Sequence, residues 1–194
     1  MSKTVTYLNN AILLLSAAVF FAASSANAAD NASGELQLRG TSVRVCQMPD
    51  PTAVNSGNAS VQSMTITVND LINQQDATIQ AWQASLIYSG VMCNYGATLS
   101  LRSLNGGMTL TGPAVQPVGG TFLSKVDYTA TAKWGNQPNL TLDTAANGTD
   151  PVSLQLSGAA KADLLINLQT PASTTPLVEG LFQDTLIIKV GPTV

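Results

Sequence analysis

The sequence predicts an all-β protein, an antiparallel sandwich. Three observations carry that reading. Runs of alternating apolar and polar residues recur along the chain, with the period of two that gives a strand one buried face. Gly, Asn and Pro separate the runs at short intervals. Helical periodicity is almost absent, and no strand–helix–strand alternation suggests a parallel sheet.

The strands follow in order. Gly34 to Cys46 alternates twice around Gly40, with Leu36 and Leu38 and then Val43 and Val45. Ser63 to Val68 places Met64, Ile66 and Val68 on one face and Thr65 and Thr67 on the other. Ala81 to Cys93 and Ala97 to Leu104 are separated by Asn94-Tyr95-Gly96. Met108 to Gly112 is expected to pair back on the preceding strand across Asn105-Gly106-Gly107, a good hairpin turn. Val126 to Trp134 alternates cleanly, and Asn139 to Thr144, Val152 to Gly158 and Ala162 to Thr170 continue the series. The last strand is expected over Gly180 to Val190, with Phe182, Leu186, Ile188 and Val190 facing inward and Gln183, Ile187 and Lys189 outward. On that parity Asp184 also faces inward, so it is expected at the strand start, where its carboxylate can be solvated or hydrogen-bonded. Asp70 to Trp82 is the single helical patch and reads as a loop or one short helix.

The N-terminus reads as a signal peptide over residues 1–28. Lys3 supplies a positive start, Ala11 to Ala23 an apolar run, and Ala26-Asn27-Ala28 a small-x-small cleavage pattern. The other reading is a membrane anchor, but the run is shorter than the roughly 20 residues a spanning helix needs. The mature chain is then about 166 residues, a length that suits one domain. The whole chain carries a net charge of −3, and only 10% of it is charged. No basic patch is interleaved with aromatic residues, which argues against nucleic acid. Thr, Ser, Asn and Gln supply the solvation, a composition that suits an exported protein packing against copies of something.

Cys46 and Cys93 are the two cysteines. In an exported chain they have one intramolecular pairing, so a disulfide is expected; two buried free thiols is the other reading. There is no histidine, which removes the usual general base, the Ser-His-Asp triad and the commonest zinc ligand together. Glu179 and Asp184 read as solvated or strand-end acids rather than an acid–base pair. Asp143 to Asp150 lacks the spacing of a calcium loop. No catalysis, cofactor or metal is expected. Glycosylation sequons at Asn31, Asn58, Asn139 and Asn147 are chance matches in so Asn- and Thr-rich a chain. Trp82 and Trp134 read as core or rim aromatics, with sugar stacking as the functional alternative.

The two ends pose one problem. An apolar strand with little chain after it leaves its far edge open to another chain. At the other end, more residues precede Cys46 than one strand needs. Either residues 29–40 are a donor-strand extension that completes a neighbouring subunit, with Leu36 and Leu38 as the groove-filling side chains, or that segment pairs within its own domain.

The order of features resembles the spore coat protein U-like family, the subunits of archaic chaperone–usher pili. The matching features begin with a leader, a short extension and a first cysteine at Cys46. A second cysteine follows in Val91-Met92-Cys93-Asn94-Tyr95-Gly96, and then a Tyr-containing strand runs from Val126 to Trp134-Gly135. The ending is the most specific element: Gly180, Phe182 and Asp184, then Leu186, Ile188 and Val190. Phe182 departs from the family's usual Tyr. The resemblance implies an incomplete immunoglobulin-like sandwich over residues 41–194, completed by a donor strand. It implies as partners a periplasmic chaperone, an outer-membrane usher and neighbouring pilin subunits. The expected product is a cell-surface fibre, exported through the periplasm, that supports attachment and biofilm formation. The alternative is a secreted surface- or carbohydrate-binding adhesin with a loop-borne site on the same scaffold.

Overall fold

The structure is a computed structural model and describes residues 35–55, 58–62, 64–112 and 120–192. The expected signal peptide, the first residues of the extension and Asn31 lie outside the described residues. The chain divides into two units, Met1–Thr41 and Ser42–Val194. In the first unit, residues 35–41 are exposed and form neither strand nor helix.

The second unit is a β-sandwich. Its strands are β1 (Cys46–Gln47), β2 (Thr52–Asn55), β3 (Ala59–Gln62), β4 (Thr65–Val68), β5 (Trp82–Cys93), β6 (Ala97–Ser103), β7 (Met108–Thr111), β8 (Lys125–Val126), β9 (Thr129–Trp134), β10 (Leu140–Asp143), β11 (Val152–Leu156), β12 (Ala160–Thr170), β13 (Leu181–Gln183) and β14 (Leu186–Pro192). One helical turn, α1 (Thr144–Asn147), follows β10 and is capped by the Asp143 carboxylate, which accepts from the Ala145 amide.

The larger sheet runs β5-β12-β9-β10, with β1 and β2 both pairing along the outer edge of β5. The facing sheet runs β11-β6-β14. All of these ladders are antiparallel. The alternation in the sequence decides what lies between the sheets: Ala84, Leu86, Leu164, Ile166, Ala130, Ala132 and Leu142 from one, Leu99 and Leu101 from the other. Trp134 is 1% exposed, and its indole N–H donates to the carbonyls of Val91 at 3.3 Å and Ala162 at 3.1 Å. The small side chains of Ala130 and Ala132 on the same strand face are the complement to its bulk.

The disulfide joins Cys46 and Cys93, with Cα atoms 4.1 Å apart and β1 paired to the end of β5 through those two residues. With a sequence separation of 47, the closed loop stabilises the fold by about 4 kcal/mol in the chain-entropy account.

Three expectations need correction, and one that was left open is decided. The strand expected over Gly34 to Cys46 is confined to β1, since residues 35–45 form no strand. The Asp70 to Trp82 patch, expected as a loop or one short helix, is the loop, closed by a bridge between Ile72 and Ile79. There the Asn73 and Asp76 side chains accept from the amides of Gln75 and Thr78, turns that compete with the helical ladder. The strand expected over Val126 to Trp134 is divided between β8, which pairs with β7, and β9, which pairs with β12 and β10. The hairpin expected across Asn105-Gly106-Gly107 does not form: β6 pairs with β11 and β14, whereas β7 joins a separate sheet of order β13-β7-β8. Gly106 and Gly107, with φ of 72° and 129°, turn the chain out of one sheet into the other.

Candidate functional site

The last apolar segment is two strands. β13 pairs with β7 in the small sheet, and β14 pairs with β6 in the sandwich. The single inward face expected for Phe182, Leu186, Ile188 and Val190 is therefore divided. Phe182 packs in a second cluster with Ile79, Val126, Leu177 and Val178. Leu186, Ile188 and Val190 pack against the main core. Sequence alternation alone cannot see the break, because the two-residue gap at Asp184 and Thr185 preserves parity.

Three breaks coincide in space: between β6 and β7, between β8 and β9, and between β13 and β14. The Asp184 carboxylate ties them together. Its Oδ2 accepts from the Ser103 hydroxyl at 2.5 Å and from the Tyr128 hydroxyl at 2.6 Å. Its Oδ1 accepts from the Asn105 amide at 2.9 Å. Ser103 is fully buried, and its Oγ also accepts from the Gly107 amide at 3.0 Å. Burial, and then the bond to Asp184, push the Tyr128 phenol well above its ordinary value, so it stays a donor. Beside this cluster Lys125 pairs with Asp127 at 2.7 Å and donates to the Gly106 carbonyl at 3.2 Å. Gly180 closes the approach to β13: its φ is 150°, and a Cβ there would collide with the Leu110 side chain. The Gly180-x-Phe182-x-Asp184 spacing thus places a close backbone approach, a core anchor and a carboxylate latch just before β14. The sequence placed Asp184 at a strand start. It did not show that Ser103, Asn105 and Tyr128 converge on it, since they lie on other strands. An acid at an inward parity in an apolar segment was the available signal.

The latch fixes β14 as an edge. Its Leu186 pairs with Ser103 and its Pro192 with Ala97. Among the described residues no strand pairs with its other side. The consequence is measurable in burial. On the neighbouring β6, Ala97, Leu99 and Leu101 are each 0% exposed. On β14 the core-facing Leu186, Ile188 and Val190 are only half-buried, and so is Ile187 on the opposite face. Among the described residues the outer backbone groups of this edge have no strand partner, and its apolar strip is only partly covered. Of the expected donor residues, Leu36 is 84% and Leu38 88% exposed.

Among the described residues no three His, Cys, Asp or Glu side chains cluster to hold a metal ion. The acids Glu179 and Asp184 do not hydrogen-bond to one another, and Asp184 is engaged as a structural acceptor. No protein-family model matches the chain, and none of the curated proteins matches it.

Proposed function

We propose that the protein is a structural subunit of a surface pilus, assembled by donor-strand exchange through a chaperone–usher pathway. The observation that carries this reading is the half-buried apolar face of β14, beside a fully buried face on its neighbour β6. A strand laid along β14 would cover Leu186, Ile188 and Val190 and pair its outer backbone groups.

In this reading residues 1–28 are the leader, 29–40 the donor extension and 41–194 the acceptor domain. A periplasmic chaperone supplies the strand before assembly. The extension of the next subunit replaces it at an outer-membrane usher, and the fibre serves attachment and biofilm formation. Leu36 and Leu38 share one strand parity, so both enter the acceptor groove of the neighbour. Each buried Leu contributes about 1.5–3 kcal/mol, to which the ladder hydrogen bonds add. The resemblance of the ending, Gly180, Phe182 and Asp184 followed by Leu186, Ile188 and Val190, to the spore coat protein U-like family supports the same reading.

The test is a chain with Leu36→Asp and Leu38→Asp together. It is expected to fold, form its disulfide and co-purify with a chaperone, yet fail to form the ladder of polymers expected of the unsubstituted chain. Normal polymers from that variant, or loss of the folded domain itself, would overturn donor-strand exchange through this segment.

A further inference from the structure

The protein has two tryptophans, and their indole N–H groups differ. That of Trp134 has two carbonyl acceptors. That of Trp82 is buried and has none, the single such side-chain atom among the described residues. Trp82 forms part of the wall of a recess of about 670 Å³ at one end of the six-stranded sheet. This volume lies within the span of ligand pockets, about 300–1,000 Å³.

We infer that this recess binds a neutral saccharide. Among the described residues its wall is rich in amides and hydroxyls and holds no charged side chain. Gln83 on β5 pairs with Gln169 on β12, which pairs with Thr129 on β9. Directly paired residues point to the same face, so these three make a row across three strands on the outer face of the sheet, at side-chain spacings of about 5 Å. Trp82 and its pair Thr170 point to the inner face, so the recess wraps the end of the sheet and takes its wall from both faces. Among the described residues the Gln83 and Gln169 side-chain amides have no hydrogen-bond partner, and both residues are exposed. Each amide offers a donor and an acceptor side by side, which matches the paired donor and acceptor character of neighbouring sugar hydroxyls. Gln80 and Asn58 extend the wall, their amide nitrogens held by the carbonyls of Ile72 at 3.1 Å and Asp70 at 3.4 Å, which leaves their oxygens as acceptors. The missing charge disfavours anionic or cationic ligands, and the polar wall disfavours lipid. A peptide backbone would find its complement at an open strand edge rather than on a row of side chains. The recess lies on the sheet opposite β14, so it is separate from the strand-acceptor edge, and polymerisation and sugar binding are independent readouts.

The experiment is an NMR titration of the 15N-labelled full chain with lactose, cellobiose, maltose and chitobiose, and with digalacturonic acid as the anionic counterpart. Two indole N–H signals are expected, assigned by a Trp82→Phe variant. At least one neutral disaccharide is expected to move the Trp82 signal saturably, with a Kd near about 1 mM, while the Trp134 signal stays fixed. Gln83→Ala and Gln169→Ala are each expected to raise that Kd roughly fivefold, the loss of one hydrogen bond, with the Trp134 signal unchanged as proof of an intact core. The inference is overturned if no neutral disaccharide moves the Trp82 signal, if the two Gln variants bind as the parent does, or if digalacturonic acid binds as well as the neutral sugars.

Discussion

Leu181–Gln183 and Leu186–Pro192 are two halves of one alternating segment, and they meet opposite fates. In β13, Phe182 is 9% exposed and anchors the small cluster, while its neighbour Leu181 is 61% exposed. In β14, Leu186, Ile188 and Val190 continue the same parity but are only half-buried against the large core. The difference comes from the partner strand. Between the pairs Gln183↔Thr109 and Leu186↔Ser103, one chain spends two residues, 184–185, and the other five, 104–108. A ladder cannot run through so unequal a gap, so both partners change sheets together. What the unequal gap leaves unpaired, the Asp184 carboxylate gathers. One half thereby becomes a closed packing anchor and the other an open edge.

That contrast can be broken at its hinge. Asp184→Ala would leave the Ser103 and Tyr128 hydroxyls and the Asn105 amide without their acceptor. Each orphaned donor costs roughly 1–3 kcal/mol, with part of that relieved by water at the rim, so a loss of about 3–5 kcal/mol is expected in chemical denaturation. A change below about 1 kcal/mol would show that the latch does not hold the two halves apart.

The closed half comes next. Phe182→Ala should cost about 3 kcal/mol, the lower end for a large aromatic because the cluster is small and near the surface. Ile188→Ala, in the open half, should cost only about 1 kcal/mol in the isolated domain. Under the proposed donor-strand assembly its effect on polymer stability should be the larger of the two, because assembly would then complete the groove. If the two variants have equal effects on domain stability, the open edge is already covered in the isolated domain. Denaturant midpoints for domain and polymer, measured side by side, decide this.

The smallest effect sharpens the hinge by pH. The raised phenol pKa of Tyr128 means that the folded state keeps its proton to higher pH than the unfolded chain, whose phenol titrates near 10.0. Its contribution is therefore fully present below about pH 10 and is lost as pH rises beyond it. Tyr88, raised by burial and then by Asp50, acts in the same direction. Stability should be flat from neutral pH to about 9 and fall above about 10. Tyr128→Phe should cost about 1 kcal/mol at neutral pH, one hydrogen bond, and should reduce the alkaline fall without abolishing it. An alkaline profile identical in the variant would remove Tyr128 as the source.

The sequence by itself determined the all-β class, most of the strands and the inner faces of the long ones. In β9, β10 and β12 the period of two is read directly into burial, because both ends of each strand lie in the same sheet. In β5 it holds from Trp82 to Tyr88 and then shifts by one at a bulge near Gly90, so that Val91 and Cys93 are the buried residues. It also determined the disulfide, because two cysteines allow one intramolecular pair. The tertiary structure alone decided where strands leave one sheet for another. At Ser103, Asp127 and Asp184 the local pattern does not change, yet three chain segments bend together. Their cause is a convergence of Ser103, Asn105, Tyr128 and Asp184 from three distant places in the chain. Alternation reports which face of a strand is apolar. It cannot report which sheet that face will meet, since that is fixed by hydrogen bonds between residues the sequence sets as many as 81 positions apart.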